Sequence, residues 1–237
     1  MSGFSFLKIS AIMSFTLVLD MPSPLAVCRP EVKKYFISKM PCGVCMYLPE
    51  TPRLTIFMFA EPRALIDTAS ARNGTRIVSV PDIRWSRRDI KSVGLLAQAL
   101  AKTEAKVRGA DDAWLVAPDG FVTEGASSNA WIVTKDGEII TRAISNMILA
   151  GVTRHALFDA LGQRGGKITE RSFTLEEAKA AVEAFSTAAT GLVTPVVEID
   201  GVVLGDGKPG KITRGVQKVY YAAIGADVAK AAPWVDD

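Results

Sequence analysis

The chain reads as a mixed α+β fold, and three observations carry that expectation. Strand-like segments come in groups, without the one-for-one alternation with helices of a doubly wound sheet. Turn signals sit between them at hairpin spacing, as in Pro118-Asp119-Gly120, Lys135-Asp136-Gly137 and Asp200-Gly201. Helical patterning is confined to separate stretches, chiefly Val93 to Val107 and Thr213 to Val228. The bulk numbers agree: 237 residues, 49% hydrophobic and 22% charged, describe an ordinary globular chain with room for one large domain or two modest ones.

Taken in order, Arg53 to Ala60 reads as a buried strand, and Asn73-Gly74 turns into a strand over Arg76 to Val80. The helix over Val93 to Val107 places Leu96 and Leu100 on one apolar face, with Gly109 as its C-cap. Strands follow at Ala113–Ala117, Phe121–Thr123, Ala130–Thr134 and Glu138–Thr141, joined as an antiparallel meander. Thr153 to Leu161 is a helix that Gly165-Gly166 ends. Thr174-Leu-Glu-Glu177 is a capping box that opens a helix through Ala184. Thr194 to Ile199 is a strand, and Asp200-Gly201 returns it into Val202–Leu204. The tail is an amphipathic helix. Before Tyr47 the patterning is irregular.

Composition excludes several classes. The 28 basic residues leave a net charge of only +3 and form no dense run for nucleic acid. Arg84, Arg87 and Arg88 cluster locally, which fits a solvated face or ion-pair partners. Cys42-Gly-Val-Cys45 has C-x-x-C spacing, but the sole histidine, His155, is remote, so a zinc site is not expected and the spacing is coincidental. A single histidine also removes most hydrolase triads. The apolar stretch Ile9–Leu19, followed by Pro22-Ser-Pro24, loosely resembles a signal peptide, yet it lacks a good cleavage site and is too short to span a bilayer. A cytoplasmic protein without a membrane anchor is the expectation.

Three segments carry chemistry. Lys91 lies in Asp89-Ile-Lys-Ser-Val-Gly-Leu-Leu96, Glu124 in Thr123-Glu-Gly-Ala-Ser-Ser-Asn129, and a helix start in Ile148-Leu-Ala-Gly-Val-Thr-Arg154. A lysine that burial can desolvate forms an imine with an aldehyde. A carboxylate holds a pyridinium, and backbone N–H groups with a hydroxyl at a helix N-terminus hold a phosphate. Together they point to pyridoxal 5′-phosphate.

In this order the three segments resemble the class IV aminotransferases, the fold-type IV pyridoxal phosphate enzymes, from about Pro52 to about Val228. Within them the chain looks most like the D-amino acid (D-alanine) aminotransferase group. The resemblance implies a large cofactor domain over residues 61–237, a pseudo-barrel of mixed strands with flanking helices, after an atypical remnant of the small domain over residues 1–60. It implies that Lys91 carries the imine and moves the α-proton, and that Glu124 pairs with the ring nitrogen. Ser128 and Asn129 stand around the ring, with Arg84 in the same polar network. Gly151, Val152 and Thr153 hold the phosphate. A second phosphate contact aligns with Ala189, where a hydroxyl is missing, and Thr190 beside it. His155 is expected on a helix surface. The implied substrates are a D-amino acid and a 2-oxo acid, and the implied assembly is a homodimer.

Position 96 separates this chain from branched-chain aminotransferases, which resemble it but carry a tyrosine five residues after the lysine; here it is Leu96. The aminodeoxychorismate lyases, a third branch of the fold, usually carry a different lysine segment, closer to Lys-His-Leu-Asn, which this one resembles less; a lyase and a truncated homologue that does not catalyse are the remaining alternatives. Residues 1–47 contain no histidine, and Arg29 is their sole arginine, so the Arg-x-His pair that grips the substrate carboxylate in relatives is absent as written. That segment is expected to derive from a shifted or wrongly started reading frame or a degraded gene, which resequencing the locus would decide.

Overall fold

One sheet dominates the chain, and its connections force it to curl. The computed structural model describes residues 64–236 together with the backbone of two strands, β1 (Ser14–Asp20) and β2 (Arg53–Phe59). These two pair antiparallel, from Ser14 opposite Phe59 to Asp20 opposite Arg53, in a unit of their own spanning Ala11–Glu61. β1 takes in the second half of the apolar stretch that loosely resembles a signal peptide. Cys28, Cys42, Cys45, Arg29 and Pro22-Ser-Pro24 lie outside the described residues.

The other unit continues with α1 (Ala69–Asn73), β3 (Thr75–Pro81), α2 (Leu96–Val107), β4 (Asp112–Val116), β5 (Val122–Gly125), β6 (Asn129–Val133) and β7 (Ile139–Thr141). Then come α3 (Val152–Gly162), β8 (Ile168–Glu170), α4 (Leu175–Lys179), β9 (Glu183–Ala188), β10 (Leu192–Ile199), β11 (Val202–Val203), α5 (Lys211–Ala223) and α6 (Val228–Ala231). The strand order is β5-β4-β3-β10-β9-β6-β7-β8, with β11 beside β10. β3 pairs parallel with β4 and β10, and β7 with β8, while the remaining pairs in this sheet are antiparallel. The sheet is therefore mixed, as expected.

β5 and β6 are separated in that order by β4, β3, β10 and β9, a lateral distance of roughly 24 Å in a flat sheet. Only Ala126, Ser127 and Ser128 join them, a link that reaches at most about 14 Å. The sheet has to bend into a half-barrel that returns β5 to β6. Alternate residues then line two faces. Ile77, Trp114, Val122, Ile132, Ile140 and Val196 pack with Phe173 and with Ala178 of α4. Val78, Val80, Ala113 and Leu115 pack with Ala101 and Ala105 of α2. Trp131 is fully buried, stacked on Phe185 at 5.3 Å between centroids and tilted against Phe158 at 5.7 Å. Its Nε1 donates to Thr187 Oγ1 at 2.9 Å, so the indole dipole is satisfied inside the core.

Several expectations change. The helix opened by Thr174, whose Oγ1 accepts the Glu177 N–H, stops at Lys179, and the chain enters β9 at Glu183. The alanine-rich run Ala178–Ala184 favours helix locally. Burial of Ala184, Phe185 and Thr187 in a strand between β6 and β10 overrides that preference. Glu183 then accepts the Ile212 and Thr213 N–H groups at 3.0 and 2.7 Å, fixing the first turn of α5. The tail helix runs over Lys211–Ala223 and resumes only briefly as α6, so it is shorter than its apolar pattern suggests. β8, three residues long, is too short to show a period. α2 begins at Leu96, after the residues Ser92 and Gly94, and its buried face is Ala101 and Ala105. Leu96 and Leu100, expected inward, are 74% and 51% exposed. The Asp200-Gly201 turn has positive φ at both positions, +50° and +82°, the two-residue hairpin form that suits strand twist. Among the described residues no helix is long and apolar enough to cross a membrane.

Trp131→Ala is expected to lower the unfolding free energy by about 3–5 kcal/mol. Leu100→Ala should change it by less than about 0.5 kcal/mol. Urea denaturation of both variants checks the placement, and a large loss at Leu100 would contradict its exposure.

Candidate active site

The site forms where the end of β3 meets β5 and the segment leading into α3. At the end of β3 the Asp82 N–H donates to the Val116 carbonyl at 2.8 Å, and the chain turns over β5. The Asp82 side chain is fully buried. Its Oδ1 accepts Arg84 Nε at 2.9 Å and its Oδ2 accepts Arg84 Nη2 at 2.8 Å, a two-pronged fork. Oδ2 also accepts the Thr123 hydroxyl at 2.7 Å. Arg88 Nε stands 3.1 Å from Oδ2, close enough to pair charges but without hydrogen-bond alignment. The remaining edge of Arg84, Nη1, donates to Glu124 Oε1 at 2.5 Å.

Glu124 is 4% exposed. Its Oε2 accepts Asn129 Nδ2 at 3.0 Å and the Leu149 N–H at 3.1 Å. Asn129 Nδ2 also donates to the Leu149 carbonyl at 2.9 Å. The segment before α3 is thereby tied to both ends of the β5–β6 link, and the Arg88 N–H donates to the Asn146 carbonyl at 2.9 Å beside it. Gly151 is the N-cap of α3, and a Cβ there would stand 2.3 Å from Asn129 Oδ1. Only glycine admits this approach. The cap has no side-chain hydrogen bond, which leaves the first-turn N–H groups of α3 for another acceptor. Thr153, in that turn, is buried, and Val152 is exposed.

Burial and charge oppose each other here. Burial pushes the Glu124 carboxyl above the usual carboxylate range, the Asp82 charge adds to that push, and the pull of Arg84 and the Leu149 N–H does not cancel it. Burial alone would also raise Asp82, but the Arg84 fork and the Thr123 hydroxyl outweigh it and hold its carboxyl low. Burial disfavours the Arg84 cation, and the two carboxylates reverse that and hold its pKa up. Among the described residues, Glu124 Oε1 accepts one donor and Oε2 two, so an acceptor direction on Oε1 is open. A cationic ring N–H placed there would offset the burial of the carboxylate. The residues present thus fit a pyridinium at Glu124 and a phosphate at the first turn of α3.

The structure brings Arg84, Glu124, Asn129 and Gly151 into contact, while Thr153 lies in the first turn of α3 beyond Gly151. Lys91 is exposed, on the stretch between Arg88 and α2, so the described residues do not supply the burial expected of it. Ser128 Oγ is buried without a hydrogen-bond partner among them, turned toward Gly125. Ala189 and Thr190 are exposed in the β9–β10 turn. Ser186 and Thr187 lie before that turn, in β9, and accept the indole N–H groups of Trp114 and Trp131. The arginine cluster divides: Arg84 and Arg88 are ion-pair partners inside the site, while Arg87 pairs with Asp89 on the surface. His155 is exposed on α3, as expected. Sequence reasoning missed Asp82, Arg88 and the Leu149 N–H. Asp82 and Arg84 at i, i+2 after a strand offered a faint signal, and nothing in a sequence marks one backbone N–H.

The family model for amino-transferase class IV matches residues 33–199. The chain belongs to the class IV aminotransferases. This family uses pyridoxal phosphate, the group that the site fits. The match starts earlier than Pro52 and ends before Val228. A D-alanine aminotransferase of Bacillus licheniformis is 36% identical to this class IV chain over 180 residues, covering 76% of it and 62% of the relative. The chain spans about half to three fifths of the length of the curated relatives it matches. Among solved structures, the branched-chain amino acid aminotransferase of Thermobaculum terrenum in its PLP form has a TM-score of 0.63 at 27% identity, over 78% of this chain and 61% of that one. The Escherichia coli branched-chain amino acid aminotransferase, at 22% identity and a TM-score of 0.66 over 77% and 62%, shares the fold-type IV architecture.

The raised Glu124 carboxyl sets a pH dependence. A folded-state pKa above the unfolded one means that protonation stabilises the fold at low pH, and this contribution is lost as pH rises through the folded value. Glu124→Gln removes that loss. The difference in Tm, variant minus wild type, should therefore grow as pH rises from about 4 toward neutrality. Melting curves by circular dichroism check it, and a difference that shrinks over that range contradicts the assignment.

Proposed function

We propose that this chain is the cofactor-binding part of a transaminase that moves the amino group of a D-amino acid, such as D-alanine, to a 2-oxo acid. The observation that carries this reading is the Arg84–Glu124 pair with its open acceptor direction, held beside the uncapped start of α3. Pyridoxal phosphate, when bound, supplies an electron sink that makes the α-hydrogen of an amino acid acidic. Glu124 would accept the ring N–H, its carboxylate being aimed by Arg84 and Asn129. Gly151, Val152 and Thr153 offer N–H groups to the phosphate. At the second phosphate contact that the family resemblance implies, Ala189 would bring no hydroxyl, and backbone groups and Thr190 would serve instead. The Lys91 amine takes and returns the α-proton.

The D-amino acid preference is supported by the curated relatives, D-alanine aminotransferases at 36–42% identity, and by Leu96 at the discriminating position. The likeness to branched-chain aminotransferase structures favours a second reading, transamination of L-leucine. The exposure of Lys91 calls for cover in the working enzyme, and a homodimer in the cytoplasm is the form proposed from the family resemblance.

Adding pyridoxal phosphate to the purified chain should give an absorbance band at roughly 410–430 nm. Lys91→Ala should abolish the band and lower turnover by about 10²–10⁴-fold. A wild type without the band, or a variant that keeps it, sinks the site assignment. Turnover of D-alanine with 2-oxoglutarate above that of L-leucine supports the first reading, and the reverse order supports the second.

A further inference from the structure

Glu124 is held by a group that is itself held. The Arg84 guanidinium reaches Glu124 only through Nη1, because Nε and Nη2 are engaged by the two oxygens of Asp82. A planar guanidinium gripped along one edge has its other edge aimed. The Arg84 N–H also donates to Asp82 Oδ1 at 3.2 Å, which fixes the base of the arginine as well as its tip. The Thr123 hydroxyl joins Asp82 Oδ2 to the residue preceding Glu124, so the aiming group and the aimed group share one anchor on β5. A carboxylate with a fully buried side chain is an expensive way to fill space, since an apolar residue of similar size would do so without desolvation.

We propose that Asp82 is a positioning residue for Glu124: it fixes the plane of Arg84 so that Nη1 meets Oε1 and the other acceptor direction of Oε1 stays open to a ligand. The importance of that direction rests on the proposed role of Glu124, whereas the clamp itself belongs to the chain alone. The charged groups acting around Glu124 are Asp82 and Arg84, with Arg88 behind Asp82. Asp82 acts on Glu124 in two opposite ways. As a bare negative charge it makes the Glu124 carboxylate less favourable. As the holder of Arg84 it makes that carboxylate more favourable. The proposal requires the second effect to dominate.

The two effects can be separated by sign in the cofactor-free chain. Carbon NMR of isotope-labelled glutamate side chains follows the Glu124 carboxyl, identified as the signal lost in Glu124→Gln. In Asp82→Asn the titration midpoint of Glu124 should move up, because Arg84 is released. In Asp82→Glu, which keeps the charge but lengthens the arm, it should move up as well. A downward move in Asp82→Asn, or no move in Asp82→Glu, reduces Asp82 to a neighbouring charge and overturns the proposal. If near-ultraviolet circular dichroism shows that neither variant folds, Asp82 is a fold residue and the positioning role is likewise overturned. An absent cofactor band with the upward shifts intact would fault the proposed function and leave the clamp standing.

Discussion

The buried contact between Arg84 and Glu124 is the constraint on which the site depends. Two opposite charges taken out of water recover their desolvation cost only when geometry is good and spare donors and acceptors are filled. The chain offsets that cost in full at Asp82 and Arg84 and only in part at Glu124, by converging three distant segments: Asp82 to Arg88 after β3, Glu124 and Asn129 across the β5–β6 link, and Leu149 before α3. Each of these is needed to satisfy a group on another. A site so connected is cooperative, since loosening one member strands a buried charge on its neighbour.

The fold brings those segments within reach. Parallel pairing of β3 with β4 places the end of β3 over the end of β4, where Asp82 finds the Val116 carbonyl. The half-barrel curl then carries β5, an edge strand, round to β6. Aromatic packing of Trp131 against Phe185 and Phe158 holds β6 and β9 to α3, so the helix that starts at Gly151 has a rigid backing. The polar site thus sits on apolar supports that have no chemical role of their own.

Much of this is legible in the residues. The hairpin turns at Gly120, Gly137 and Gly201, the capping threonine at 174 and the α+β character follow from local chemistry, and the structure keeps them. Arg84, Glu124, Asn129 and Gly151 are reached through a motif resemblance, and they do meet in space. What stays hidden is non-local. The alanine run before Phe185 favours helix until the neighbouring strands are known. The outward turn of Leu96 and Leu100 depends on where α2 begins, which the segment around Gly94 sets without a capping signal. Asp82 shows only its i, i+2 spacing to Arg84, because Thr123 and the Arg84 acceptor Glu124 lie some forty residues away. Lys91 shows its type in the sequence, and type does not disclose exposure.

The short connection from Gly125 to Asn129 has a consequence for how such a chain can diverge. Because Ala126, Ser127 and Ser128 both close the curl and hold Glu124 beside Asn129, that stretch cannot grow without spreading the polar contacts apart. Insertions are instead tolerable at tips such as Asp136-Gly137, where the side chains face water. Evolutionary change along this link is therefore confined to the exchange of side chains on a backbone of fixed length, and variation in loop size is left to tips such as the far end of the β6–β7 hairpin.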